Sequence, residues 1–180
     1  MFGDPVVLLE QGKTQPLGKL VKRITVGYVG TASDHYVEQG VPYLRTQNVR
    51  VNYIDLEGLI YVDEEFHRKN SKSIIHPDDV VISRVGANRG MAAVIPENVE
   101  EANIANCLIV GATQELLPVY LSHYFNYSYN RHKAFGMSVG SAQGVVNTGT
   151  LKKWQVHKPP LALQQEFAAF VQQVDKLKFV

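Results

Sequence analysis

The sequence predicts a mixed α/β domain with flanking helices, followed by the start of a long coiled-coil helix. Three observations support this prediction. The chain has 180 residues and is 45% hydrophobic, enough to bury a core. Short β-branched runs bounded by Gly, Pro and Asp alternate with amphipathic stretches, so strands and helices are mixed. After a double proline, apolar residues repeat at coiled-coil spacing. We therefore expect a globular domain over residues 1–158 and the start of a long helix over residues 159–180.

The N-terminal half predicts a short helix, an extended segment and a second short helix. Apolar residues from Leu17 to Ile24 recur at i, i+3, i+4 and i+7, which is typical of an amphipathic helix. The stretch Val41–Leu56 is rich in β-branched and aromatic residues and is predicted to be extended, with polar residues near its middle. Acidic residues lead and basic residues trail over Asp63–Lys72, which favours a helix because that order complements the helix dipole.

The middle of the chain predicts three strands and a longer helix. His76–Gly86 reads as a turn leading into a strand, and Met91–Pro96 and Asn103–Thr113 are further strands. Leu116–Phe135 spaces apolar residues along one face of a helix of about five turns, and Gly136 is a natural stop.

The clearest pattern lies after the double proline. Pro159 and Pro160 disfavour helix before them and permit a helix to start directly after them. Apolar residues then follow at spacings of 4, 3, 4 and 3, a seven-residue repeat that predicts a narrow seam. The seam residues, which we expect to pack on a partner helix, are Leu163, Phe167, Phe170, Val174 and Leu177. A helix that packs on its own domain is the alternative interpretation.

Composition limits the class of protein. Cys107 is the single cysteine and lies in an apolar stretch, which excludes a disulfide framework and a cysteine-based zinc site. This usage is typical of the reducing cytoplasm, where we expect the protein. No apolar run reaches the roughly 18 residues of a membrane span, and the first residues lack the pattern of a signal peptide. The six histidines show no metal-ligand spacing, so we predict no metal site.

Charge is distributed unevenly. The formal net charge is +1, but residues 116–165 contain five Lys or Arg and no Asp or Glu, so this window carries +5. Such asymmetry points to a polyanionic partner. A solvated basic face without a ligand is the alternative interpretation.

Motifs for catalysis are missing. Lys158–Leu161 is the nearest match to the Asn/Asp/Ser-Pro-Pro-aromatic turn of amino-methyltransferases, and it lacks both the polar acceptor and the aromatic residue. The sequence contains no G-x-G-x-x-G loop, Walker loop, G-x-S-x-G or H-E-x-x-H motif. Pro77-Asp78 is not followed by the Asp/Glu-x-Lys of metal-dependent nucleases. We therefore favour binding over catalysis and predict no catalytic residues and no cofactor.

Two segments carry side chains suited to reading DNA bases. In Ser83–Gly90, two glycines frame a loop that offers Arg84, Asn88 and Arg89. Arginine binds guanine and asparagine binds adenine in bidentate fashion, and glycine lets the backbone approach a phosphate. The second segment is Leu44–Arg50, in which strand alternation places Arg45 and Gln47 on one face. Its candidate residues are Arg45, Gln47 and Asn48. A hairpin with exposed charges and a solvated polar strand face are the alternative interpretations.

A third segment, the glycine-punctuated basic stretch before the double proline, offers hydroxyl, amide and ammonium donors for phosphates and base edges. Its candidates are Ser141, Gln143, Lys152 and Lys153. Trp154, by contrast, is predicted to anchor the core.

In their order and spacing, four stretches resemble one target recognition domain of the DNA-specificity (S) subunit of type I restriction–modification systems. They are Met1–Pro5; Leu17–Leu20 with Val41–Val49; Pro77–Gly86; and Gly140–Gln143 with Leu151, Pro159–Leu161 and Gln164–Phe167. Asp78 stands where the family usually has glycine. The resemblance implies a target recognition domain over residues 1–158 and a conserved spacer helix over residues 159–180.

The resemblance also implies function and partners. S subunits hold two recognition domains, each reading one half of a split duplex DNA site, and paired helices set the gap between the halves. Methyltransferase (modification) subunits and a restriction subunit, an endonuclease and translocase, would be the partners. Self-association through the C-terminal helix is a further expectation. The alternatives are a recognition module of another DNA-modification system and a protein-interaction domain.

Overall fold

The computed structural model describes residues 2–129 and 147–177 and confirms the mixed α/β class. The described residues form five α-helices: α1 (Pro5–Glu10), α2 (Glu64–Lys69), α3 (Pro118–Tyr129), α4 (Thr148–Lys153) and α5 (Leu161–Leu177). They also form eleven short strands: β1 (Gln15–Pro16), β2 (Arg23–Val26), β3 (Tyr36–Val37), β4 (Val41–Leu44), β5 (Ile60–Val62), β6 (Ile74–Ile75), β7 (Asp79–Ser83), β8 (Ala92–Val94), β9 (Ala102–Ile104), β10 (Cys107–Gly111) and β11 (Gln155–Val156).

The strands make three sheets. An antiparallel sheet has the order β2-β10-β7-β8, and a five-stranded sheet has the order β3-β5-β4-β9-β6, in which β4 and β9 are parallel. The third sheet pairs β1 with β11, so the chain just before the double proline is joined to the N-terminal region. No helix in the described part of the chain is long and apolar enough to cross a membrane.

The four-stranded sheet is covered on both faces, which explains why its central strands are apolar throughout. All five residues of β7 and all five of β10 are buried. Alternate residues such as Ile82 and Leu108 pack into one core with α3 and Trp154. The residues between them, such as Val81 and Ile109, pack into a second core with the five-stranded sheet. Period-two alternation therefore fills two cores from one sheet.

Several predicted elements are confirmed. A helix follows Asp63, whose carboxylate accepts a hydrogen bond from Phe66 N at 2.7 Å and so caps α2. Trp154 is 2% exposed in the core, as predicted. The final helix begins at Leu161, directly after the double proline.

The predicted helix from Leu17 to Ile24 is wrong. Residues Leu17–Lys19 form a single 3-10 turn, and Arg23–Val26 form strand β2. The i, i+3, i+4, i+7 spacing is genuine, but pairing of the second half with β10 outweighs the local preference. Tertiary pairing of this kind routinely overrides helix propensity in short segments.

Candidate nucleic-acid interface

Backbone hydrogen bonds close the loop between β7 and β8 at its base, and the chain turns sharply within the loop. Gly90 N donates to Ser83 O at 2.8 Å, and Ser83 N donates to Met91 O at 3.0 Å. Gly86 and Gly90 have φ values of +77° and +85°, the left-handed region that glycine adopts without strain. The first segment therefore forms a loop that projects from a buried sheet and is held at its base by hydrogen bonds.

This loop contacts the second predicted segment. The Asn88 side chain donates from Nδ2 to Thr46 O at 3.1 Å and to Val49 O at 3.0 Å. An amide nitrogen has two hydrogens, so both of its donors bind the neighbouring backbone. The structure thus brings two of the three predicted segments together. We name residues 45–53 and 84–90 the loop surface.

The extended backbone predicted for the second segment is wrong at its centre. Strand β4 ends at Leu44, and Thr46–Asn48 form a 3-10 turn, so Arg45 and Gln47 do not alternate along a strand face. Gln47 is exposed on this turn. Arg45 donates from Nη2 to Gly58 O at 3.4 Å, while its Nε is buried and has no hydrogen-bond partner among the described residues.

Two asparagines predicted to read bases make hydrogen bonds within the fold. Asn48 is 2% exposed; its Oδ1 accepts from Arg45 N at 2.9 Å and its Nδ2 donates to Asp55 O at 2.8 Å. A buried side chain with these bonds does not reach a ligand, so its predicted role is corrected to closing the 3-10 turn. Asn88 is half-buried, and its two donors join the two parts of the loop surface, so a role in reading bases stays a prediction for this residue. Arg84 and Arg89 are half-buried on the same loop.

Sequence reasoning missed a third component, the turn Arg50–Tyr53. Arg50 N donates to Tyr53 O at 3.0 Å, and Asn52 has a φ of +66°. The Asn52 side-chain oxygen accepts from Ser122 Oγ at 2.9 Å and from Asn126 Nδ2 at 2.6 Å, so α3 holds the turn from behind. Tyr53 remains 57% exposed. Asn52 was the available sequence signal for this turn, because asparagine tolerates the left-handed backbone conformation.

The third predicted segment is described in part. Ser141 and Gln143 lie outside the described residues. Lys152 and Lys153 end helix α4 rather than lying in a loop, and both are exposed. The α4 backbone packs on the N-terminal region, where a side chain at Gly18 would come within 3.2 Å of Lys152 O.

The seam of α5 divides into two parts. Phe167, which is predicted to pack on a partner helix, is half-buried against its own domain, with ring centroids 5.2 Å from His123, 5.4 Å from Phe2 and 6.3 Å from Tyr120. The aromatic face of α3 lies beside the start of α5, which accounts for these contacts. Further along, Phe170 is 58% and Leu177 is 75% exposed. The remaining seam residues, Leu163 and Val174, are half-buried.

Two observations concern the reactive groups among the described residues. Burial raises the pKa of the Cys107 thiol far above its ordinary value, so this thiol stays protonated. Within residues 2–129 and 147–177, no three His, Cys, Asp or Glu residues come together as metal ligands. Arg23 and Asp79, in the loop-distal end of the central sheet, pair at 2.5 Å and so fix strand β2 to β7 across β10.

Comparison with known proteins assigns the class. The type I restriction modification DNA specificity domain family matches residues 21–179, so the chain belongs to that family, whose task is recognition of DNA targets. Two S-subunit crystal structures are similar in fold. The HsdS subunit from Thermoanaerobacter tengcongensis has a TM-score of 0.63 at 18% identity, and covers 91% of this chain and 37% of its own. The type I S subunit from M. genitalium has a TM-score of 0.59 at 14% identity, with 96% and 43% covered.

A third similar structure comes from work on complex assembly and conformational transition of the type I R-M system, with a TM-score of 0.65 at 18% identity. It covers 91% of this chain and 38% of its own. The chain thus spans about two fifths of the length of these solved proteins. A search among curated protein sequences found no significant match.

Proposed function

We propose that this chain is one target recognition domain that reads one half of a bipartite duplex DNA site through its loop surface. The supporting observation is the Asn88 bridge, which joins two loops rich in base-reading side chains into one fixed unit. Arg45 and Gln47 lie on one part of this unit, and Arg84 and Arg89 lie on the other. Fixed donors suit sequence reading, because ordering flexible side chains on binding costs free energy.

The turn Arg50–Tyr53 belongs to the proposed interface. Tyr53 presents an exposed aromatic ring beside the polar residues, and a ring of this kind suits apolar contact with a thymine methyl group or a sugar. The turn is held by α3 from behind, so the ring needs little reordering on binding. Lys152 and Lys153 are proposed to contact phosphates, which position the domain without reading sequence.

We further propose that the chain performs no catalysis and acts with partner subunits. Methyltransferase subunits would modify the recognised DNA, and a restriction subunit would cut it. The exposed seam beyond Phe167 is the proposed contact for a second helix, either in the same subunit or in another copy. We expect such a complex to act in the cytoplasm, where its DNA target would lie.

Affinity of the assembled methyltransferase for random and selected duplexes, measured across salt concentrations, tests the function. We expect one selected half-site, and a log affinity that falls steeply and linearly with log salt because phosphate contacts release counterions. Gln47→Ala should alter the selected half-site. Gln39→Ala, which changes an exposed glutamine outside the loop surface, is the matched control. Binding with a flat salt dependence and no sequence preference would favour the protein-interaction alternative.

A further inference from the structure

Gln164 is the buried residue of α5 among those the structure describes. Its side-chain oxygen accepts a hydrogen bond from Leu117 N at 2.8 Å. Its side-chain nitrogen donates to Glu115 O at 2.9 Å and to Pro159 O at 2.8 Å. One amide therefore ties three backbone groups together: two just before α3 and one just before α5.

The amide is placed where loss of its bonds would be costly. A buried polar group is stable when its hydrogen bonds are made, and here both donors and the acceptor of the buried Gln164 amide are satisfied by backbone groups. An apolar residue of similar size would fill the space but leave three backbone groups unpaired. The joint is therefore defined by directional bonds, whereas packing alone would allow the helix to rock.

Neighbouring contacts support the same joint. Lys158 Nζ lies 2.6 Å from Glu115 Oε2, and Tyr120 OH donates to His157 O at 2.8 Å. Phe167 packs on the same face of α3, one turn beyond Gln164. The first two turns of α5 are thus fixed to the domain, and the residues that follow carry the exposed part of the seam.

Geometry makes this joint sensitive. Residues 164–177 span about 20 Å of helix at 1.5 Å per residue. A tilt of about 10° at the joint would move the far end by about 3.5 Å, which equals one nucleotide step along a DNA strand. A small change in helix direction at Gln164 would therefore shift a second recognition domain carried by the helix by about one base pair along the DNA.

We propose that Gln164 is a positioning residue that fixes the direction of α5 relative to the loop surface, and so sets the spacing between half-sites that the assembled subunit accepts. The first half of this statement concerns geometry alone. The second half rests on the proposed function. The two halves are tested separately, so that failure of the proposed function does not obscure the role of the joint.

The geometric test measures spin-label distances between cysteines introduced at Lys19 and Gln173, both exposed. Cys107 is fully buried and can stay. We expect Gln164→Met to widen the distance distribution by about 3 Å, the displacement of a 10° tilt. The adjacent Gln165→Met, which changes an exposed glutamine, should leave it unchanged. If Gln164→Met does not fold, Gln164→Asn retains the amide but is too short to reach all three partners. An unchanged width in a folded Gln164 variant would overturn the proposal.

The functional test uses the assembled methyltransferase and duplexes whose half-sites lie at the wild-type spacing or one base pair closer or farther. We expect the wild type to discriminate between them and Gln164→Met to lose about tenfold of that discrimination, while half-site sequence preference stays the same. Unchanged spacing preference in the variant would overturn the inference. Absence of sequence-specific binding by the wild type would overturn the proposed function instead, and the distance measurement would still decide the role of Gln164.

Discussion

The loop surface and the base of α5 are fixed by the same chemistry but present opposite surfaces. In the loop surface, the amides of Asn48 and Asn88 bond to neighbouring backbone groups, and the residues around them are mainly polar. At the base of α5, the Gln164 amide bonds to backbone in the same way, but the exposed residues that follow are Phe170 and Leu177. Each region thus separates side chains that hold the fold from side chains left for a partner.

This difference underlies our proposal that the two regions bind different partners. Polar donors on a fixed backbone match the donor and acceptor groups in a DNA groove. A narrow apolar seam matches another helix, because knobs on one helix need holes on the next. Residue type alone did not separate these roles, since amide side chains occur among both the buried anchors and the exposed candidates.

The largest expected effect separates the two halves of the α5 seam. Phe167→Ala should lower the free energy of unfolding by about 2–4 kcal/mol, because the ring packs in the aromatic cluster on α3. Phe170→Ala, one turn further on, should change it by less than about 0.5 kcal/mol because its ring is exposed in the single chain. Urea denaturation of both variants measures this. Equal losses would mean that the whole seam packs on the domain.

A second comparison lies within the 3-10 turn of the loop surface. Asn48→Ala removes a buried amide with two backbone partners and should cost about 2 kcal/mol of stability. Its neighbour Gln47 is exposed, so Gln47→Ala should leave the unfolding midpoint unchanged and alter DNA selection instead. Thermal unfolding measures the stability of both variants, and selection from a pool of duplexes measures their DNA preference. An Asn48→Ala protein of wild-type stability would contradict the structural role given to that residue.

Base preference should depend on the arginines of the β7–β8 loop. Replacing Arg84 or Arg89 with alanine should change the preference at one base position by about 1–3 kcal/mol, the value of one bidentate contact. Arg68→Ala is the control, because Arg68 is exposed on α2. Selection from randomised duplexes by the assembled complex reports the change. Uniform weakening at every position would reassign these arginines to phosphate contacts.

The smallest effect concerns the lysines of α4. Lys152→Ala or Lys153→Ala should weaken binding to all sequences alike and lower the slope of log affinity against log salt by about one. Lys72→Ala, which removes another exposed lysine, should leave the slope unchanged. Fluorescence anisotropy over a salt series is sensitive enough for this. A change in sequence preference without a change in slope would exclude a phosphate role.

Much of the fold could be predicted from local patterns. The capped helix α2, the buried strands and the helix after Pro160 each carry a signal that tertiary structure reinforces. The segment Leu17–Ile24 was predicted wrongly, because the spacing of its apolar residues fits a helix face and gives no sign that its second half pairs with β10. Short segments of this kind are decided by their long-range partners.

The sequence allowed us to predict which segments form the candidate site, but not which way their side chains point. The sequence indicated which loops carry suitable chemistry, and two of them do meet. Whether an asparagine points outward or inward depends on carbonyl groups that arrive from elsewhere in the chain, as Thr46 and Val49 do at Asn88. The Tyr53 turn escaped notice because its support comes from α3, about seventy residues away in sequence.

Site-specific photo-crosslinking to duplex DNA tests the central claim most directly. A benzophenone amino acid at Tyr53 or Gln47 should crosslink to a duplex that contains the selected half-site. The same group at Tyr36, which is 43% exposed on strand β3, should not. Crosslinking from Tyr36 alone, or equally from all three positions, would contradict the account that the loop surface reads the DNA.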